Sequence, residues 1–568
     1  MLLTLHHDGG SPEYFEQFQR ERVIERLRAL DPADPLTALG MAGNQNCFGV
    51  FNLSWQAREH PEWPGQVAAE VGEIRAAIAA THGSRLRHVI WAGMGGSIED
   101  KLMYQAAGLL RRGPRFYALD STDPAKLKYI LADIARRSRQ PIAQALRSTL
   151  VVGMALGMTS FEPVRNLEKL AALYAKHRID SRPNFIYLTL PGSLLDRFAG
   201  PRGYRRVELQ LDRANSTAGR HSGPLTRGSL YPLALAGIDL RKWMQATFLN
   251  PQEIDTALRL AAFLHAHGVA GRDKVTLLLP RAWAGAALWA KQDFEESLGK
   301  SEDLGVKIVI GERIRRGDYR PDRVFLSVQP GPNLQALWRA GHPVALLKFP
   351  GGALLARYMQ FMHYVVFGMA YLRRMNFVTQ PSVELYKSIA NELDSAAAWK
   401  KFARGRVKRG NITLPAVAAT PAQFAQLLGG LTDSRAIEYA ELTFFGDTRY
   451  SPQGRQMRRT LDRAGERLFR LRLNVPVDIY EGPAMNHSYH EMIIGHGKCF
   501  SIVLLSEKQE RIAAIDYSPD YHIAQFLATQ MALERKGRRV IAITVKDLSP
   551  RSLATLAQFF RQTAASIR

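Results

Sequence analysis

Short apolar runs of strand length alternate along most of the chain with longer stretches in which apolar residues recur every three or four positions. The runs are RFYAL near 115, TLVVGM at 149, NFIYLT at 184, RVELQL near 206, KVTLLLP at 274, VKIVI at 306, RVFLSV at 323 and PVALLKF at 343. Runs of this length bounded by turn residues predict buried strands, and the periodic stretches predict amphipathic helices. Strands separated by helices predict an α/β architecture of parallel sheets covered on both faces. A long apolar helical stretch, Leu354 to Leu372, follows, and further α/β material appears as CFSIVLL at 499, a helix around 521 to 535 and RRVIAIT at 538. Residues 1–84 carry helical patterns such as YFEQFQRERVIERLRAL and PGQVAAEVGEIRAAIAATHG, expected to pack on the first sheet. The expected organisation is a helical N-terminal segment (1–84), a first α/β domain (85–245), a second (246–398), and a basic connector with a C-terminal α/β segment (399–568) that completes the second domain.

This pattern is organised around Arg87–Asp100, RHVIWAGMGGSIED. The apolar run His88–Ala92 breaks at Gly93, passes Gly95 and Gly96, and reaches Ser97 with Asp100 three residues later, the spacing of a helix start. In a doubly wound sheet a strand, glycine turn and helix meet at the carboxyl end of the strand, where backbone amides can hold an anion. A tight turn that needs small residues accounts for the same letters.

At 568 residues, 46% of them hydrophobic, the chain has material for two or three domains. Two cysteines, Cys47 and Cys499, allow one bridge at most and no metal-site spacing, which fits a reducing compartment. The start, MLLTLHHDGG, lacks a basic region followed by an apolar core, and no run of about 18 apolar residues occurs, so a soluble cytoplasmic protein without a membrane partner is expected. The net charge of +24 fits nucleic-acid binding, attraction of anionic substrates or a generally basic surface. Its only dense run, Lys400–Gly410 (KKFARGRVKRG), has one aromatic and no stacking pattern, and reads as a solvated connector with no nucleic-acid partner.

Six further stretches carry residues suited to chemistry, each with a plain structural reading beside it. In ALGMTSFEPVRN, Thr159 and Glu162 have capping-box spacing with Pro163 in the first turn, which a helix start alone explains. Asp120-Ser121-Thr122-Asp123-Pro124 offers hydroxyls at a sheet edge, or an ordinary capped turn. Ala218-Gly219-Arg220-His221-Ser222 places a guanidinium in a loop, facing a charged intermediate or solvent. QDFEESLGK (292–300) offers Glu296 as a base or as a solvated helix end, and QPSVELYK (380–387) offers Lys387 as a donor or an exposed lysine. GPAMNHSYHEMIIGH (482–496) gathers three histidines; His487 and His490 are three apart and Glu491 adds a carboxylate, but HExxH spacing is absent and no metal is expected.

Taken in this order, the stretches resemble the phosphoglucose isomerase superfamily, built from two sugar-isomerase (SIS) domains. AGMGGS resembles the family's GIGGS, AGRHS followed by PLALAGID its GGRYS segment, EESLGK its ESxGK, and MNFVTQPSVELYK its INPFDQPxVExxK. The likeness runs from about residue 85 to 390 and continues more weakly to the C-terminus. Many members place a catalytic histidine soon after ESxGK, but residues 301–341 contain none. The chain is more similar there to the isomerase part of transaldolase–isomerase fusions, whose GPRFLHS-like stretch is matched by GPAMNHS.

The resemblance implies two doubly wound parallel-sheet SIS (flavodoxin-like) domains with helical N-terminal and C-terminal additions. It implies interconversion of glucose 6-phosphate and fructose 6-phosphate through a cis-enediol, without cofactor or metal, in a homodimer. His487, with Lys387, would open the sugar ring, His490 being the second choice; Glu296 would carry the proton between C2 and C1, and Arg220 would face the anionic intermediate. Gly95, Gly96, Ser97, Ser121, Thr122, Thr159 and Ser160 would hold the phosphate. One departure bears on the substrate: where the family has SK[ST] and further hydroxyls, this chain has Ala155-Leu156-Gly157, and a later threonine position is Pro163. Each charge-assisted hydrogen bond so lost is worth roughly 1.5 to 3 kcal/mol. An isomerase for a different anionic sugar and a non-catalytic sugar-phosphate-binding protein therefore stand as alternatives.

Overall fold

The apolar runs all contribute strands in the computed structural model, which describes residues 1–567 apart from 44, 214–222, 315–318, 332 and 353. The chain divides into two compact units, one of Met1–Asp120, Pro141–Gly317 and Pro321–Gln380, the other of Ser121–Gln140, Asp318–Arg320 and Pro381–Arg568.

The first unit carries β1 (Leu2–His6), a short ladder of β2 (Met41–Ala42) with β3 (Gln45–Asn46), then β4 (His88–Ala92), β5 (Arg115–Leu119), β6 (Thr149–Met154), β7 (Phe185–Leu188) and β8 (Arg205–Val207). It continues with β9 (Lys274–Leu278), β10 (Lys307–Val309), β11 (Arg323–Val328) and β12 (Val344–Lys348). One sheet has the order β5-β4-β6-β7-β8 and is parallel throughout, the flavodoxin-like 2-1-3-4-5 arrangement. The other, β1-β12-β11-β9-β10, repeats that order in its four parallel strands and fills its last edge with β1, antiparallel to β12. The N-terminal segment is thus not wholly helical as its sequence suggests. LLTLH lies at a sheet edge with mostly half-buried positions, so neither face imposes a clean alternation.

The second unit carries β13 (Arg406–Arg409), β14 (Ile412–Pro415), β15 (Tyr439–Phe445), β16 (Val477–Gly482), β17 (Cys499–Ser506) and β18 (Arg539–Val545). Its sheet, β13-β14-β18-β17-β15-β16, shows the same order a third time in β16-β15-β17-β18, with the β13–β14 hairpin on the edge. The C-terminal segment therefore builds a sheet of its own, where the sequence suggested an addition to the second domain. Its first parallel strands are hard to read because carboxylates interrupt them: Glu441 in β15, Asp478 and Glu481 in β16. The basic run at 400–410 is no loose connector either. It spans the end of the helix Ser395–Ala403 and the edge strand β13, where positive charge discourages further strand pairing.

The helix Pro124–Ser138 belongs to this second unit. Buried Lys126 pairs with Glu481 at the end of β16, which also takes the Arg449 guanidinium at 2.9 Å and the Thr448 amide at 2.7 Å.

In the first unit the helices Pro251–Val269 and Leu355–Leu372 lie so close that a Cβ on Gly368 would fall 2.7 Å from that of Ala261. His265 and His267 are buried on the former helix, and burial holds both pKa values down at about 4. Unfolding releases them to titrate near 6.5, so the unfolded chain binds more protons between about 4 and 6.5. Their contribution to stability is full above that window and is lost as pH falls through it. Thermal unfolding is expected to shift downward over this range, and more shallowly in a His265→Gln/His267→Gln variant; an identical slope in both proteins would assign the acid sensitivity to other groups.

Candidate functional site

Beyond β4 the chain passes through a 3-10 turn, Gly95–Ser97, into the helix Glu99–Ala106. Close contact dictates the glycines: a Cβ on Gly93 would lie 3.0 Å from that of Ser97, and Gly95 sits at φ 50°. The Trp91 indole pins the turn by donating to the Ser97 carbonyl at 3.1 Å. Ser97 does not cap the helix, since Ile98 holds that position without a side-chain bond. Its hydroxyl makes no hydrogen bond among the described residues, which leaves it open to a ligand. Asp100 is likewise no cap partner; it is buried against the Lys101 ammonium at 2.7 Å and accepts the Ser229 hydroxyl at 2.6 Å.

The loop after β6 leaves beside this turn, because β4 and β6 are paired neighbours with Ala92 opposite Gly153. It is the switch point of the sheet order, where open α/β sheets hold their ligands. Ala155 is buried, Thr159 is exposed and Ser160 half-buried. The expected capping box does not form: the helix Glu162–Lys176 starts after Phe161 with no side-chain cap. Lys101 reaches the Met154 sulfur at 3.7 Å, one residue before Ala155. Burial lowers its pKa while Asp100 opposes this, and with its charge balanced there it does not replace the lysine the loop lacks.

The helix Ala286–Leu298 follows β9 and is buried through its second half despite carrying Lys291, Gln292, Asp293, Glu295, Glu296 and Ser297. Pairing makes that tolerable. Glu295 takes Lys291 at 2.5 Å and Lys307 at 3.3 Å, and Asp293 takes the His363 ring at 3.2 Å. Glu296 is 2% exposed, and its carboxylate accepts the Gln292 amide from one helical turn earlier. It is no solvated helix end. Lys300, just past the helix, donates to the Asn376 carbonyl at 2.8 Å and to that of Thr379.

In the second unit Lys387 lies on the helix Pro381–Glu392, and His487 ends the turn Ala484–His487. Buried Glu491 binds these two segments together by accepting the Ser382 and Val383 amides at 3.0 and 3.1 Å, capping the Lys387 helix from four residues past His487. The His487 ring meets Tyr386 edge-on at 5.9 Å, and Lys387 donates to Glu384 at 2.8 Å. His490 is a different matter: fully buried, with its ring 3.2 Å from Glu441 of β15, it belongs to the core. Ser121 accepts the Asp123 amide at 3.1 Å, and Thr122 commits its hydroxyl proton to Gln525 at 2.5 Å.

The first unit therefore holds Gly95, Gly96, Ser97, Thr159, Ser160 and Glu296, and the second holds Ser121, Thr122, Lys387 and His487. Arg220, with the rest of Ala218–Ser222, lies outside the described residues.

No family profile matches the chain. A glucose-6-phosphate isomerase of Synechococcus sp. (strain JA-3-3Ab) is 28% identical over 250 residues, 42% of this chain and 44% of the relative. That of Thermosynechococcus vestitus is 26% identical over 326 residues, 53% of this chain and 58% of the relative. The chain thus spans about half the length of these curated relatives. In fold it is similar to a hypothetical protein of Thermus thermophilus (TM-score 0.53, 20% identity, 71% of this chain and 100% of that one). It is also similar to a glucose-6-phosphate isomerase of Chlamydia trachomatis (TM-score 0.50, 14% identity, 69% and 88%). The chain is thus similar in part of its sequence to glucose-6-phosphate isomerases, and in fold to one of them.

Two residues of the candidate site were given no role in the sequence expectations. Gln292 stands four before Glu296, a spacing that makes them helix neighbours, so its signal was present. Glu491 was visible as a carboxylate near histidines, but capping a helix about a hundred residues earlier leaves no local trace. Among the described residues no group of three or more His, Cys, Asp or Glu is placed to hold a metal ion, and no helix is long and apolar enough to cross a membrane.

Proposed function

We propose that the protein is an aldose–ketose isomerase acting on a sugar phosphate, with glucose 6-phosphate and fructose 6-phosphate as the pair interconverted. The observation that carries this reading is Glu296: a buried carboxylate clamped by a neutral amide, in a superfamily whose chemistry needs a base at that motif. Isomerisation moves a proton from C2 to C1 by way of an enediol and is redox-neutral, so one carboxylate that takes and returns the proton suffices, without an external electron acceptor. In this reading Lys387 and His487 assist ring opening by proton transfer at the ring oxygen, and Arg220 balances the oxyanion of the enediol. Ser97, with the Gly95 and Gly96 amides and the Thr159 and Ser160 hydroxyls, takes the phosphate.

A coupled assay with fructose 6-phosphate and a glucose-6-phosphate dehydrogenase tests the reading directly. Turnover is expected; its absence at high enzyme concentration removes it. The loop Ala155-Leu156-Gly157 favours a second reading, an isomerase for another anionic sugar. Faster turnover of a different aldose or ketose ester in a substrate panel would favour that reading over the first. In either case Ser97→Ala should raise KM about tenfold with little change in kcat, the equivalent of one charge-assisted hydrogen bond of about 1.5 kcal/mol. An unchanged KM would put the phosphate elsewhere.

A further inference from the structure

The second unit has a long groove that the catalytic reading leaves unused. It runs between the helices Pro452–Ala464 and Pro550–Ser566 and encloses about 610 Å³. Lining positions recur every three or four residues, from Gln453 to Ala464 on the first helix and on to Arg467 in the π-helix Gly465–Leu473 that continues it, and from Pro550 to Arg561 on the second. At 1.5 Å per residue each stripe is roughly 15 to 20 Å long, about three helical turns. Leu553, Ala557 and Phe560 form part of an apolar floor, and Arg463, Arg467 and Arg561 stand along it.

The charge of this groove is one-sided. No Asp or Glu lines it, and among the described residues none of the three arginines has a carboxylate within ion-pair distance. The segment 452–473 has seven arginines against two acids, and those acids, Asp462 and Glu466, pair with Arg458 and Arg470. We propose that the groove docks an acidic amphipathic helix of a partner protein, its apolar stripe on the floor and its carboxylates on Arg463, Arg467 and Arg561. Helix-in-groove recognition uses anchors at the spacing these stripes present. A second copy of this chain is a poor occupant, because a two-fold contact would set the arginines against themselves. Nucleic acid is disfavoured too: Phe560 is buried in the floor, and no exposed aromatic stands there to stack on a base.

The test uses the full chain and a fluorescein-labelled peptide of about 18 residues, long enough to span the roughly three-turn groove, with leucines at helical positions i, i+3, i+4 and i+7 and glutamates elsewhere. Saturable binding is expected, weakened at least tenfold by Arg463→Glu/Arg467→Glu and by Ala557→Trp, which fills the floor from an exposed position. Thermal unfolding of the Ala557→Trp protein should match the parent, separating loss of the groove from loss of the fold. A scrambled peptide of the same composition, poly-L-glutamate and a DNA duplex should all compete weakly. Equal competition by poly-L-glutamate or the duplex, or wild-type binding by both variants, would overturn the proposal.

Discussion

Glu296→Gln is expected to lower kcat for the isomerisation about a thousandfold while leaving the protein folded. The magnitude follows from the role: a positioned general base contributes roughly 10² to 10⁴ to such a step. Folding should survive because the substitution is isosteric and the new amide can still turn its oxygen toward the Gln292 amide that Glu296 accepts. Kinetics and thermal unfolding of the same preparation check both halves. A variant that keeps more than a tenth of the parent kcat would show that Glu296 is structural. A variant that unfolds would instead be judged through Gln292→Ala, which removes the amide clamp and should lower kcat less than Glu296→Gln does.

The parallel strands of the first two sheets were legible because most are short, predominantly apolar runs, such as TLVVGM or RVFLSV, closed by turn residues. In those sheets burial on both faces keeps most positions apolar, and the polar ones, such as Thr149, Lys274 and Arg323, stand mainly at the strand starts. The third sheet was only half legible for the opposite reason. CFSIVLL and RVIAITV stood out, but β15 and β16 carry Glu441, Asp478 and Glu481 among their apolar residues. Those carboxylates meet His490, Tyr480 and Lys126, partners that local patterning does not display for the first and last of them. The edge strands β1 and β13 were missed because edges are half-exposed and, in β13, charged.

The surroundings of the candidate site were legible where they are set within one short motif and obscure where they depend on a remote partner. Glu296 and its clamp Gln292 share a helix turn, so the pair could be read directly. Thr159 and Ser97 looked like caps because hydroxyls at that spacing usually are; the structure frees both from that duty. What no spacing could reveal is that Glu491 anchors the start of the Lys387 helix. Fixing the segment after His487 to that helix commits two backbone amides and one buried carboxylate, and gives both candidate ring-opening groups a shared support within the second unit.

The largest effect on stability is expected from Lys126→Met. Glu481 lies buried at the end of β16, where burial pushes its pKa up but the charges of Arg449 and Lys126 outweigh this and hold it below the usual carboxylate range. Removing one partner of a buried pair typically costs about 3 to 5 kcal/mol. Arg449 stays at 2.9 Å and should keep the loss near the lower end. For a unit of about two hundred residues that corresponds to roughly 6 to 12 °C in Tm. A carboxylate with a lowered folded pKa stabilises fully above its unfolded value, near 4.5, and loses that contribution as pH falls further. The gap between parent and variant should therefore be constant at neutral pH and narrow below about pH 4.5 as Glu481 protonates. Adding Glu481→Gln to the variant should recover part of the loss by removing the stranded charge, a non-additivity that a double-mutant cycle measures. Hydrogen exchange should place the weakening in β16 and the helix Pro124–Ser138; full additivity of the two substitutions would mean that the pair does not act as one.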